Sequence, residues 1–305
     1  MDRFVARLMP LSDQGNALHL SVSLGVAHFI LWALGIWAVG GGAHLNALDK
    51  VLVVTALGLF FGQISNSNAH ELIHNAARAP RRLGVAIYGS ILFAHHTSAH
   101  TRVHHVYAAT RKDPNTARLG EGFWHYLIRA WPQGFIAGKR AEDHARQHRA
   151  RAPWTHPYVI YLKLSLISAV GAFLIAGPSG VLALVIIAAY AQVQLYLSDY
   201  VQHYGLERRI LDSGKPEKMG PEHSWNAPHW YSSAMMLNAP LHSDHHLNPA
   251  RPFPELRLTR GEMPILPHSL PVMAVLALIP PLWCRLMDKR ATRWRVKGAS
   301  PPDAA

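Results

Sequence analysis

The chain has 305 residues, 50% of them apolar and only 16% charged, with 30 Lys and Arg against 18 Asp and Glu, 21 His and one Cys. Charged residues make up about 25% of an ordinary soluble domain, and apolar runs as long as those here exclude a disordered tail or a coiled coil. The lone Cys284 excludes an internal disulfide and any four-cysteine iron–sulfur or rubredoxin-type centre, so electrons for redox chemistry must come from a partner or another cofactor.

A helix needs about 20 apolar residues to cross the hydrocarbon core. Residues 17–40 meet that length and exceed a signal-peptide core, so they read as a retained span. The second span begins at Val51, stays apolar to Gly62 and then turns polar through Gln63, Ser65, Asn66 and Asn68. Residues 83–94 are too short to cross and read as re-entrant, interfacial or buried. Residues 101–156 carry ten Lys and Arg. Residues 158–177 and 180–200 are joined only by Pro178 and Ser179, which predicts an antiparallel hairpin. Residues 270–283 again fall short of a span.

The expectation is an all-α integral membrane protein, a single embedded domain over 1–305. It has about four transmembrane helices, short re-entrant or interfacial segments and a cytoplasmic histidine-rich helical cap. Residues 17–77 form a first hairpin, 83–157 a basic cytoplasmic segment, 158–205 a second hairpin and 206–305 a cytoplasmic C-terminal region. Lys and Arg gather in 101–156, after His203 and at the C-terminus, whereas the link between the first two spans carries only Lys50 and the Pro178-Ser179 turn carries no base. The positive-inside rule then places both termini and both large polar segments in the cytoplasm, on an inner-membrane protein. The net charge of +12 fits that topology and attraction to lipid headgroups, and no basic module of the nucleic-acid-binding kinds is present.

Eight histidines fall into three spaced groups, His70/His74, His100/His104/His105 and His242/His245/His246, with a lone His203 between the last two. On a helix, residues three or four apart share a face, so His70 with His74, His100 with His104, and His242 with His245 are each placed to grip one ion. His105 and His246 point about 100° away, toward a second ion. Neutral imidazole suits Fe, Zn, Cu and Ni. The expected topology brings all four segments to one membrane level. His96, four residues before His100, is the next candidate ligand. His19, His28 and His44 read as structural, and His125, His144, His148, His156, His223, His229 and His268 as solvent-side or interfacial. Cys284 reads as apolar filler.

His70-Glu71-Leu72-Ile73-His74 also fits the H-E-x-x-H pattern of zinc proteases, but such a site would leave most of the other histidines unexplained. A metal transporter should hold its ligands near the bilayer midplane, not at helix ends. The three groups resemble instead the histidine boxes of the membrane fatty-acid desaturase and hydroxylase superfamily. More specifically, the stretches 68–74, 113–121, 203–206 and 242–249 resemble the membrane alkane monooxygenases, and the similarity runs from about Gln63 to Asp288. That resemblance implies two Fe ions held by nine histidines: His70, His74, His100, His104, His105, His203, His242, His245 and His246. It also implies O2 as oxidant, an apolar alkyl substrate taken from the membrane lipid, and electrons from rubredoxin or ferredoxin with its reductase. The expected reaction is hydroxylation of a terminal alkyl carbon; a desaturase, or a hydroxylase of a fatty-acyl or aryl-methyl substrate, is the alternative. Glu71, Asp199 and Asp244 adjoin ligands and are the candidates for tuning the metal, whereas Asp113-Pro114 reads as a turn. The chain departs from the family pattern at Ala99, Val103, Asp199, Gln202 and Pro240-Leu241.

Overall fold

A computed structural model describes residues 14–148 and 151–299. Helices account for nearly all its regular structure, and the only β pairing among the described residues is two isolated bridges. The chain divides into two compact units. Of the described residues, one contains 14–102, 135–148 and 151–195, the other 103–134 and 196–299. The terminal residues 1–13 and 300–305 of the expected single domain lie outside the described residues.

In the first unit, α1 (Gln14–Trp37) and α2 (Ala47–Leu59) are predominantly apolar. A wide π-helical turn, Phe60–Ser65, carries α2 into α3 (Asn66–His74), so one rod runs to the first histidine pair. The polar residues closing this rod face protein. Asn68 donates to the Ser21 carbonyl at 2.8 Å, and Tyr88 donates to Asn66 Oδ1 at 3.0 Å. Helix α4 (Arg78–Ser90) is short, and the chain reverses after it at Leu92, whose φ is 60°. A β-carbon on Gly84 of α4 would stand 2.8 Å from the Ala69 carbonyl and 2.9 Å from Leu72 Cβ, so α4 lies directly on α3. His28 takes the structural role expected of it, bonded to Ser65 at 2.9 Å and Ser90 at 2.6 Å.

Among the described residues, three rods are long and apolar enough to cross a membrane: Ala17–Gly42, Ala47–His74 and Pro157–His203. At 1.5 Å per residue the third, here α6, is about twice a bilayer core in length. It is broken at Ala176 (φ −148°) and Gly177 (φ 60°). Ser168 and Gln192, equidistant from Gly180, reach the neighbouring carbonyls of Ser90 and Ile91 at 2.7 and 2.8 Å. Two arms folding back on each other produce that symmetry. The bend sits just before Pro178, because proline fits the first turn of the returning arm and glycine supplies the positive φ. Outside these, α5 (Phe123–Arg146) is amphipathic.

The second unit is less helical than the expected cap. Between residues 204 and 269 it holds short pieces, among them Trp230–Met235 and α7 (His242–Leu247), linked by loops. The apolar stretch 270–283 divides into α8 (Leu270–Ala277) and the start of α9 (Pro280–Ala299), with Met273, Ala277, Trp283, Met287 and Ala291 forming a buried stripe.

Candidate metal centre

Four histidines of the second unit converge. His203 is the last residue of α6, which stops there because Gly205 adopts φ 69° and gives its N–H to the Ala117 carbonyl. His242 and His246 lie one turn apart on α7. That six-residue helix is pinned from outside. Ser243 N–H donates to Asn226 Oδ1 at 3.0 Å, and its hydroxyl reaches the Pro221 carbonyl at 2.7 Å. His104 closes the π-helical turn Ala99–His104. All four are buried, and each offers a ring nitrogen within 4.8 Å of the others.

Their chemistry favours a cation. The Nε2 atoms of His203, His242 and His246 form a triangle with sides of 2.9, 3.1 and 3.2 Å. Imidazoles bound to one ion at about 2.0–2.1 Å place their nitrogens roughly 3.0–3.4 Å apart. A neutral ring has one proton, and three N–H groups cannot fit in so small a triangle. At least one lone pair is therefore turned into the triangle, and all three are available to a shared ion. Burial holds the rings neutral: it pushes His242 down to about 3, and burial with the neighbouring histidines keeps His246 well below the ordinary imidazole value. The outward Nδ1 atoms of His203 and His246 are buried without a hydrogen-bond partner, a cost that a bound ion would offset.

His104 is oriented differently. Its Nδ1 donates to Asp113 Oδ2 at 2.9 Å, which leaves Nε2 as the ring's acceptor. Burial alone would depress its pKa, but the Asp113 carboxylate outweighs burial and raises it; the same pair lowers Asp113 against burial. Asp113 also accepts from the Thr116 hydroxyl at 2.7 Å and the Asn115 N–H at 3.1 Å. The turn expected at Asp113 is present, and its side chain does more than turn the chain. Arg129 fixes this loop through the Pro114 and Thr116 carbonyls while gripping both oxygens of Glu121 at 2.8 and 2.9 Å.

The first unit gathers a second set. His70 and His74 share a face of α3 with ring centroids 5.1 Å apart, and His100 Nε2 lies 2.8 Å from His70 Nε2. In the second unit His105 and His245 face each other, their Nε2 atoms 3.1 Å apart. All nine expected ligands thus stand in close histidine groups, but two expected pairings are corrected. His242 teams with His246, four residues on, and not with His245, which leaves the helix about 100° away toward His105. His100 joins the His70 group, whereas His104 joins His203, because they sit on a π-helical turn and not on an α-helix.

Two of the three candidate tuning carboxylates are held by neighbouring side chains. Asp199 accepts from Asn115 Nδ2 at 2.6 Å. Asp244 is engaged by Arg251 at 2.6 and 2.7 Å and by the Arg257 N–H at 2.8 Å, so it staples the loop after α7. Glu71 sits half-buried between His70 and His74. His96 stacks on Phe93, centroids 5.0 Å apart, beside Tyr88. His223, expected at the surface, is buried near Glu217 and Glu222. It is not built as a metal ligand: Nδ1 accepts the Gly220 N–H at 2.8 Å, so Nε2 carries the proton and donates to Glu217 at 3.2 Å. At the departures from the family pattern, Gln202 donates to the Ala239 carbonyl at 3.2 Å, and Val103 is buried.

Residues 48–276 match the family model described as fatty acid desaturase. The chain is 30% identical over 269 residues to the alkane 1-monooxygenase of Ectopseudomonas oleovorans, covering 88% of this chain and 66% of that protein. It is 31% identical over 256 residues to alkane 1-monooxygenase 2 of Pseudomonas aeruginosa, covering 83% and 68%. The xylene/toluene monooxygenase hydroxylase component of Pseudomonas putida is 29% identical over 241 residues, 76% of this chain and 62% of that protein. The chain spans about two thirds of the length of the alkane monooxygenases it matches. With its histidine groups and apolar helices, it belongs to the alkane monooxygenase branch of the membrane fatty acid desaturase and hydroxylase superfamily, a family of oxidoreductases.

Proposed function

We propose that this chain is an O2-dependent di-iron monooxygenase that hydroxylates the terminal carbon of alkanes or similar alkyl chains. The triangle of neutral Nε2 atoms from His203, His242 and His246 carries the reading, because buried imidazole nitrogens about 3 Å apart have the spacing of ligands on one ion. His104 joins that ion's ligand set; His70, His74 and His100 in the first unit, and His105 and His245 in the second, are the further ligands the family pattern implies. Imidazole-only donors suit iron's redox chemistry as well as zinc's, and family membership supports iron. When bound, the irons supply the redox chemistry by which one atom of O2 enters a C–H bond and the other leaves as water, with two electrons and two protons delivered from outside. The chain's own residues fix the ring orientations, and the buried surroundings limit water near the metals.

The two apolar arms of α6 and the rods Ala17–Gly42 and Ala47–His74 support a reading of four spans, and lysine and arginine placement supports an inner-membrane protein with its polar segments in the cytoplasm. An alkyl chain partitions into lipid by about 0.8 kcal/mol per CH2 and needs no aqueous passage. A soluble carrier, a rubredoxin or ferredoxin, supplies electrons because the chain has one cysteine only. An aryl-methyl substrate is the second reading, supported by the likeness to the xylene/toluene component.

The test is metal analysis with product identification from medium-chain alkanes under O2 and a reducing system. Iron and a 1-alkanol are expected. His246→Ala should lose iron and hydroxylation while still inserting, whereas exchange of the exposed His125 should change neither. Zinc in place of iron, or full activity in the His246 variant, would overturn the assignment.

A further inference from the structure

A groove in the first unit runs between α4 and the first arm of α6 and opens into two cavities, of about 450 and 340 Å³, with Ala86 and Leu164 lining both. Arg78, Arg81 and Arg82 stand at one end; Val85 and Ile160 continue the wall, and Phe29 and Trp32 line the other end. The three guanidinium groups are exposed and have no carboxylate partner among the described residues, whereas the nearby Arg102 is taken by Glu142 at 2.6 Å. Nothing in the helix itself calls for them. Bases in the first turn of α4 oppose its dipole, that turn has no acid, and its cap residue Ala77 offers no side-chain bond.

We propose that this groove holds one anionic phospholipid of the surrounding membrane, its phosphate on the three arginines and one acyl chain along α4 and α6 toward Trp32. Charge complementarity selects the head, since three unpaired guanidinium groups form multidentate bonds to phosphate. The wall selects the tail: Ile160 is 45% exposed and Ile167, farther along, 66%, on an arm apolar enough to lie in lipid. A free phosphate would leave the apolar length unused, and a bare alkane would leave the cations unused. The proposal rests on membrane placement of α6 and not on metal binding or oxygenation, so either can fail alone.

The experiment uses the full chain in nanodiscs of phosphatidylcholine with a minor fraction of phosphatidylglycerol, followed by native mass spectrometry of what stays bound. Phosphatidylglycerol should be retained in preference to phosphatidylcholine. The triple change Arg78→Gln, Arg81→Gln and Arg82→Gln should lower that retention roughly tenfold. Leu164→Trp, which fills the wall common to both cavities without touching charge, should lower it as well. Far-UV helicity reports whether each variant folds. If the triple variant does not, the single Arg82→Gln variant, titrated with a soluble short-chain phosphatidylglycerol against the unaltered chain, must show weaker heat protection. Equal retention of the two lipids, retention indifferent to the arginines, recovery of free fatty acid in place of phospholipid, or displacement of the lipid by a medium-chain alkane would each overturn the proposal.

Discussion

A buried imidazole has one proton to place, and its hydrogen-bond partner decides which nitrogen keeps the lone pair. Asp113 makes that choice for His104, and Thr116 and the Asn115 N–H hold the carboxylate in place. Losing such a partner typically costs about 10–100-fold in metal affinity or activity. Asp113→Ala should therefore weaken metal binding by that order in a chelator-competition titration, with Asp113→Asn recovering part of it. Asp244→Asn, which frees Arg251, should lower thermal stability more than metal affinity. Unchanged affinity in Asp113→Ala would remove Asp113 from the site. Histidine spacing made the histidine groups legible, but Asp113 lies nine residues beyond His104, where no periodicity marks it. An Asp-Pro-Asn run reads first as a turn, and a side chain's second partner is set by tertiary packing. Glu121 makes a related prediction. Burial pushes its pKa up, but Arg129 and the Arg118 N–H outweigh burial and hold it below the ordinary glutamate value of 4.5. The stabilisation is thus complete above pH 4.5 and disappears as the pH falls through the lower folded value. Thermal melts of solubilised protein should fall more steeply below that pH for the unaltered chain than for Glu121→Gln; parallel curves would show that the pair carries no acid dependence.

At the scale of elements, the spans were readable because apolar length is a one-dimensional property, and the α6 bend was readable to within two residues from its glycine and proline. Geometry inside a helix was less so. An i,i+4 spacing implies one face only while the helix stays α, and the second box lies on a wider turn that sends His100 and His104 to different partners. The third box failed for a simpler reason: three- and four-residue spacings both occur at 242–246, and only packing chooses between them. The short α4 supports the first box through a glycine. At Gly84 any β-carbon meets the Ala69 carbonyl and Leu72, and α3 presents His70 and His74 on this same segment. Gly84→Val should cost about 1–3 kcal/mol by overpacking and displace α3. Its expected signature is a lower melting temperature with partial metal loss, while His203→Ala should lose metal without the same fall in melting temperature. Normal stability in Gly84→Val would mean that the two helices yield to each other freely.

Across the whole molecule, the histidines are presented by frameworks that need no ion. In one unit Asn226 and Arg251 anchor α7, and Asp113 with Arg129 anchors the loop below His104. In the other, Asn68 and Tyr88 tie α3 to its neighbours. A zinc finger lacks such a scaffold and unfolds when its metal is withdrawn. Here the apolar rods supply the fold, so a metal contributes mainly by binding the folded state: about 4 kcal/mol at a free concentration a thousand times Kd. Chelation should therefore leave far-UV helicity intact, lower the melting temperature and increase hydrogen exchange at residues 242–247 and 99–105 before the spans. Returning iron should reverse all three. If helicity collapsed across the chain on chelation, the metal would be organising the fold itself, and the bonds named above would be consequences of metal binding and not its preparation.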